Sequence, residues 1–253
     1  MNKDQKVENI IEVKNLHKKF GDNIVYDGAN LTIKKGEVIT IIGGSGIGKS
    51  VMLKHFIGLL QPDEGEIIFD GHNISHLKEE EYIPVRKRIA MLFQGGALFD
   101  SLTVGENLAY PLREHTTLTE EEIQKRVSEE LALVGLSEKQ NLMPSDLSGG
   151  MKKRVGLARA TILEPEIILF DEPTTGLDPY NTRKINEIIM DLNKRKNITC
   201  IIVTHDMESA FEVTDRIAMV YRGKIIIEET KENIKKTDNE IVKGFITGEP
   251  LDS

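Results

Sequence analysis

Val38-Ile39-Thr40-Ile41-Ile42-Gly43-Gly44-Ser45-Gly46-Ile47-Gly48-Lys49-Ser50 is the stretch on which the fold turns. Its first five residues are apolar or β-branched without interruption, as expected of a strand buried on both faces. The strand runs into a glycine-rich turn and then a helix-like segment, Ser50 to Leu60. Two glycines separated by four residues, followed by Lys and Ser, form a pattern with a physical purpose. Glycines permit backbone angles that turn successive N–H groups inward to make an anion nest. The helix that follows aims its positive end at the same place. Lys49 can reach β- and γ-phosphates, and the Ser50 hydroxyl can coordinate Mg²⁺.

A second acidic element answers this loop. Ile167-Ile168-Leu169-Phe170-Asp171-Glu172 is an apolar strand that delivers Asp171 at its C-terminal edge, where open α/β sheets bind ligands. There Asp171 can hold the Mg²⁺ shell, and Glu172 can act as general base or orient water for attack on a γ-phosphate. Taken alone, such an acidic pair also suits a helix cap or a solvated turn. The phosphate loop turns the reading toward catalysis.

The rest of the last third alternates strand and helix. Ile185, Ile188, Ile189 and Leu192 mark an amphipathic helix, Cys200 to Thr204 a strand, and Met207, Ala210 and Phe211 another helix. This alternation implies a parallel sheet with helices on both faces. Ile217 to Tyr221 and Lys224 to Ile227 read as a hairpin around Arg222-Gly223, and Val242, Phe245 and Ile246 as a short terminal helix. The opening is different. Ile11, Val13, Leu31 and Ile33 alternate with polar residues, with turns at Phe20 to Asn23 and Lys34 to Gly36, so antiparallel strands are expected. The middle is helix-rich. Thr119-Glu120-Glu121-Glu122 is a capping box, Ile123, Val127, Leu131 and Val134 form one stripe, and Gly135 suits the stop. A further helix follows Leu147-Ser148, closed by Pro165.

Composition sets bounds. The 253 residues carry 39% hydrophobic and 29% charged side chains, ordinary for a globular chain. No run approaches the roughly 18 apolar residues that span a bilayer. Met1 to Glu8 is polar and shows no secretory signal, so direct membrane insertion is not expected. A net charge of −8 gives no support to a nucleic-acid partner. The single cysteine, Cys200, lies in an apolar run and is expected in the core.

Leu147-Ser148-Gly149-Gly150-Met151 then narrows the reading. Ser148 can cap a helix while the Gly149 and Gly150 amides stay open to an anion. Standing shortly before Asp171-Glu172, this segment resembles the signature of ABC ATPases. Gln94, after the strand Ile89 to Phe93, matches the family's Q-loop glutamine. Gly176-Leu177-Asp178 matches the D-loop, His205 the switch histidine, and Phe20 the place of the aromatic that stacks on adenine. The resemblance runs from about Ile11 to Ile246. It implies an α/β fold with a P-loop NTPase (RecA-like) core, an N-terminal antiparallel β subdomain and an inserted α-helical signature subdomain. Domain bounds of 8–247, with a helical subdomain near 96–160 and a short tail at 248–253, follow from it.

The resemblance also implies a site. ATP would be held by Phe20, Gly43, Gly44, Ser45, Gly46, Ile47, Gly48, Lys49 and Ser50 of one subunit. Ser148, Gly149, Gly150 and Asp178 of a second copy would complete the pocket. Mg²⁺ would be held by Ser50, Gln94 and Asp171, and catalysis would fall to Glu172, His205 and Gln94. Phe93 to Asp100, Tyr110 to His115 and Leu142 to Leu147 further resemble the ATPase subunit of bacterial MCE-associated, Mla-type lipid transporters. That branch implies a homodimer under an integral-membrane permease, peripheral at the cytoplasmic face of the inner membrane, with an MCE-domain lipid-binding protein in the same system. Gly44 departs from the proline common in the family. The rival phosphate-loop enzymes fare worse: Asn193-Lys194-Arg195-Lys196 lacks the Asp that a GTPase needs to read guanine, and a kinase leaves Leu147 to Met151 unexplained.

Overall fold

The period of the apolar residues decides which surface each strand covers. The computed structural model describes residues 8–249; Met1 to Val7 and Pro250 to Ser253, on which the N-terminal and tail expectations partly fall, lie outside the described residues. In chain order the elements are β1 (Asn9–Phe20), β2 (Asn23–Lys34), β3 (Val38–Ile42), α1 (Lys49–Phe56), β4 (Glu64–Phe69), β5 (His72–Asn73), α2 (Glu79–Arg88), β6 (Ile89–Leu92), α3 (Val104–His115), α4 (Glu120–Leu133), α5 (Gly149–Thr161), β7 (Ile167–Asp171), α6 (Pro179–Lys196), β8 (Thr199–Val203), α7 (Met207–Val213), β9 (Arg216–Tyr221), β10 (Lys224–Thr230), α8 (Lys231–Ile234) and α9 (Glu240–Thr247).

Two sheets form. The first is antiparallel with order β2-β1-β4-β5, as the alternating N-terminal segments require. The second has order β10-β9-β3-β8-β7-β6, parallel from β9 to β6, with β10 antiparallel on the edge. Side chains alternate across this sheet. Ile39, Ile41, Leu169, Ile201 and Val203 join the core shared with α1 and the antiparallel sheet. Val38, Ile168, Phe170, Cys200 and Ile202 pack on the other face against Ile185, Ile189 and Leu192 of α6. Cys200 is fully buried, as its apolar run predicts.

The helices α3, α4 and α5 surround a separate cluster that includes Leu108, Val127, Leu131 and Val155. The capping box at Thr119 forms, with Thr119 Oγ1 accepting from Glu122 N at 3.3 Å and Glu122 accepting from Thr119 N at 2.7 Å. The helix stops as predicted. Gly135 sits at φ +69°, and Gly135 N and Leu136 N donate to the carbonyls of Ala132 and Leu131, the paired bonds of a Schellman end.

Three of the described α-helices are not marked in the sequence pattern: α2, α3 and the four-residue α8. Both α2 and α3 contain a proline inside the helix, Pro84 and Pro111, which masks the helical period. The helix after the phosphate loop is also shorter than expected. It ends at Phe56, and Gly58 at φ +68° turns the chain where a Cβ would strike the Tyr82 ring at 2.3 Å.

Strand register places the site. Ile41 pairs with Val203, and Asp171 pairs with Val203 from the other side. The C-terminal ends of β3, β7 and β8 therefore lie side by side, and the loops leaving them meet at one edge.

Candidate active site

The loop from Gly43 to Gly48 is shaped by what its glycines leave out. Gly48 adopts φ +103°, and a Cβ there would lie 2.2 Å from Val25 Cγ1. Gly43 sits at φ +148° with Val220 O 2.6 Å from the same imaginary atom. Tyr26 Oη donates to the Gly48 carbonyl at 2.8 Å, so β2 braces the turn from below. Lys49, almost fully buried, donates from Nζ to the carbonyls of Gly43 and Gly44 at 2.9 and 2.8 Å. Burial pulls the Lys49 pKa below the ordinary lysine value, while the negative charges of Glu172 and Asp171 oppose that shift.

Ser50 Oγ donates to Asp171 Oδ1 at 2.6 Å, joining the two residues that the sequence sets 121 positions apart. Glu172 follows in the left-handed region, at φ +51°. Its amide is tied to β8 through Val203 O at 2.9 Å. Its carboxylate faces His205 Nδ1 at 3.0 Å and accepts from Thr204 Oγ1 at 3.2 Å and Thr175 Oγ1 at 3.0 Å. A cavity of about 340 Å³ is lined by Ser45, Gly46, Gly48, Lys49, Ser50, Val51, Gln94, Glu172 and His205. An ammonium, a hydroxyl, a carboxylate, an amide and an imidazole thus converge on one cavity.

Not every candidate residue reaches it. Phe20 lies at the end of β1, 45% exposed, with Lys18 Nζ 5.4 Å from its ring, and does not line the cavity. Ser148 caps α5, accepting from Met151 N at 3.3 Å, and Asp178 caps α6, accepting from Tyr180 N and Asn181 N at 3.0 Å each. Neither lines the cavity of its own chain. The two signature glycines differ. Gly149 faces open space, whereas a Cβ on Gly150 would lie 2.5 Å from Asn181 Cγ. Gly150 is small because α6 presses against it, a packing reason that the anion reading does not supply.

Two contributors escape the sequence reading. Thr204 links the Glu172 carboxylate to Asp206, whose amide donates to Thr204 Oγ1 at 3.0 Å. Lys153, 6% exposed, donates from Nζ to the carbonyls of Glu172, Pro173 and Thr175. Its signal was present: Gly150, Lys153, Leu157 and Thr161 fall on one buried stripe of α5, and a lysine on such a stripe calls for a partner.

The family profile for the ABC transporter domain matches residues 26–175. The chain belongs to the ABC transporter family. It is an ATP-binding cassette that hydrolyses ATP, with the expected P-loop core, antiparallel sheet and helical signature region. Relatives match over nearly the full chain. It is 46% identical over 96% of its length to the intermembrane phospholipid transport system ATP-binding protein MlaF of Haemophilus influenzae, covering 92% of that protein. It is 44% identical over 94% of its length to the probable ribonucleotide transport ATP-binding protein mkl of Mycobacterium tuberculosis, covering 66% of it. Among solved structures, a dimeric ATP-binding cassette in a post-hydrolysis state with ADP and phosphate bound superposes with a TM-score of 0.81 at 36% identity, over 87% of this chain and 98% of that one. Among the described residues of this ABC ATPase, no helix is long and apolar enough to cross a membrane.

Proposed function

We propose that the chain is the ATPase of a bacterial phospholipid transporter of the MlaF kind, working as a homodimer that closes on two ATP molecules. The observation that carries the catalytic part is the convergence of Lys49, Ser50, Gln94, Glu172 and His205 on one cavity. In this reading Lys49 and the amides of the Gly43 to Gly48 loop hold the phosphates. Glu172 accepts a proton from the attacking water, and His205, hydrogen-bonded to it, keeps that water and the γ-phosphate in line. Gln94 reports the occupied site to the helical region. Ser148, Gly149, Gly150 and Asp178 face the partner's triphosphate, which explains why they stand away from their own cavity. Phe20, beside the hairpin whose Val25 and Tyr26 brace Gly48, offers an exposed ring for the adenine base.

The donor set fits Mg²⁺. Ser50 Oγ and Asp171 Oδ1 are hard oxygen donors in direct contact, and the Gln94 amide lines the same cavity as Ser50. The described residues contain no cluster of three or more His, Cys, Asp or Glu able to cage a metal. That pattern suits an ion which keeps its waters and shares substrate phosphate oxygens. Ser50, Asp171 and Gln94 would hold the ion, and when bound there it would neutralise charge developing on the β- and γ-phosphates.

The phospholipid assignment is supported by 46% identity to MlaF along nearly the whole chain. The partners are then an integral-membrane permease and an MCE-domain protein, with the ATPase peripheral at the cytoplasmic face of the inner membrane. Phe99 and Tyr110, about half exposed and edge to face at 5.4 Å, offer the permease an aromatic contact next to the Gln94 loop. The mycobacterial relatives favour ribonucleotide cargo instead. Purifying the native complex through a tag on this chain, with mass spectrometry of co-purified proteins and lipids, decides between them. A permease with bound phospholipid supports the proposal. A permease without lipid whose ATPase is stimulated by ribonucleotides and not by phospholipid refutes it.

A further inference from the structure

We propose that Lys153 is a positioning residue that holds the Glu172 turn of its own subunit, so that each signature helix is tied to the catalytic carboxylate of the same chain. The inference rests on the sandwich reading above and deepens it.

Lys153 stands two residues beyond the signature and points into protein, 6% exposed. An ammonium carries three protons, and three carbonyls meet it: Glu172 at 3.2 Å, Pro173 at 2.9 Å and Thr175 at 2.7 Å. A buried charge is costly unless its hydrogen bonds are satisfied. Here they are satisfied entirely by backbone, and by one turn. The carbonyls of residues 172, 173 and 175 therefore converge because a cation lies at their focus, the inverse of an anion nest. Burial lowers the Lys153 pKa, and the negative charge of Glu172 opposes that shift, consistent with an ammonium close to the catalytic group.

The turn needs such a clamp. Glu172 is a non-glycine residue at φ +51°, a backbone state that persists only when its surroundings over-determine it. The amide side is fixed by Val203 O on β8 and the carbonyl side by Lys153. Together they aim the carboxylate at His205, Thr204 and the cavity.

The other end of the clamp is α5 itself. A Cβ on Gly150 would meet Asn181 at 2.5 Å, and Asn181 Nδ2 donates to Asp178 Oδ2 at 2.5 Å. A Cβ on Gly156 would meet Gly96 O at 2.8 Å, and Arg159 donates to the carbonyls of Gly96 and Ala97 at 3.2 and 2.8 Å. One rigid helix thus touches the signature, the D-loop cap, the loop after Gln94 and the catalytic turn. A shift of α5 when its N-terminus engages the partner's nucleotide passes through Lys153 to Glu172 of the same subunit.

Mixed dimers of the full-length chain, purified through two different tags, test this. The control pairs a wild-type chain with a Glu172→Gln chain, leaving one competent site. In the first test dimer, Lys153→Met is placed in the chain that keeps Glu172; in the second, it is placed in the chain that carries Glu172→Gln. The expected result is a kcat at or below a tenth of control in the first dimer, with KM for ATP within twofold, and a kcat within twofold of control in the second. The reverse order would mean that Lys153 serves the partner's pocket through the signature, and overturns the proposal. Equal loss in both, or loss in neither, overturns it as well. If Lys153→Met does not fold, the same pair is made with Lys153→Gln, whose amide can serve two of the three carbonyls, with the same ordering expected. A control pair that never dimerises with nonhydrolysable nucleotide would instead refute the sandwich reading itself.

Discussion

Glu172→Gln tests the assignment of the general base with the least structural disturbance. The substitution keeps the shape of the side chain and changes one oxygen to an amide nitrogen. Thr204 and Thr175 both donate to Oε2, so the retained carbonyl oxygen of glutamine can still accept both bonds. The new NH₂ then faces His205 Nδ1, which can accept in the tautomer protonated at Nε2. Glutamine is neither better nor worse than glutamate at φ +51°, and the folded state should change by less than ~1 kcal/mol, the scale of one exchanged hydrogen bond. What is lost is the capacity to take a proton. General-base catalysis contributes about 10²- to 10⁴-fold, which at 1.36 kcal/mol per tenfold is roughly 3 to 5 kcal/mol of transition-state stabilisation. The prediction is a kcat lowered by at least a hundredfold, ATP affinity within about threefold of the parent, and a thermal midpoint within a few degrees. Steady-state ATPase kinetics, equilibrium nucleotide titration and calorimetry read these separately, and ATP-dependent dimers should accumulate on size exclusion because turnover no longer dissolves them. A variant that folds, binds ATP and hydrolyses it within threefold of the parent rate would refute the reasoning.

His55 gives a prediction about acid stability. It lies fully buried on α1, with Nδ1 bonded to Val51 O at 2.7 Å and Nε2 without a partner, and burial lowers its pKa from 6.5 to about 4. Between those values the unfolded chain binds a proton that the folded chain refuses, so stability declines as pH falls from about 6.5 and this contribution is lost below about 4, ~3 kcal/mol in all. Urea unfolding of His55→Gln across that range should show a flatter pH dependence than the parent; an identical slope would count against a neutral buried imidazole. Gly48→Ala places a Cβ 2.2 Å from Val25 at φ +103°, whereas Gly46→Ala at φ +76° meets nothing. The first should cost about 3 kcal/mol from strain plus overpacking and the second about 1 kcal/mol from strain alone. Denaturant midpoints that place the two variants together would show that the Val25 contact does not shape the loop.

Some of this architecture is local and readable in the chain. The Thr119 box and the Gly135 stop depend on residues within a turn of each other, and both form as their pattern predicts. The strands from Val38, Ile167 and Cys200 announce themselves by unbroken apolar runs, because a strand covered on both faces has no solvent side to mark. The helices holding Pro84 and Pro111 hide for the opposite reason. Their prolines break the local pattern while tertiary contacts, such as the burial of Tyr82 and Leu112, keep the helix formed.

Residue order alone discloses which chemistry is present: a glycine loop with Lys49 and Ser50, an acidic pair ending a strand, a signature motif and a histidine after a strand. Which of these groups meet depends on the folded arrangement. Parallel pairing of β3, β8 and β7 sets Ser50 against Asp171, and Glu172 against His205, across gaps of 121 and 33 residues. It also showed that Gly150 yields room to Asn181, that Phe20 stays outside the cavity, and that Lys153 grips the catalytic turn from a neighbouring helix. Motif spacing records distances along the chain, whereas a hydrogen bond or a steric contact depends on distances across it, and those are set by sheet register and packing.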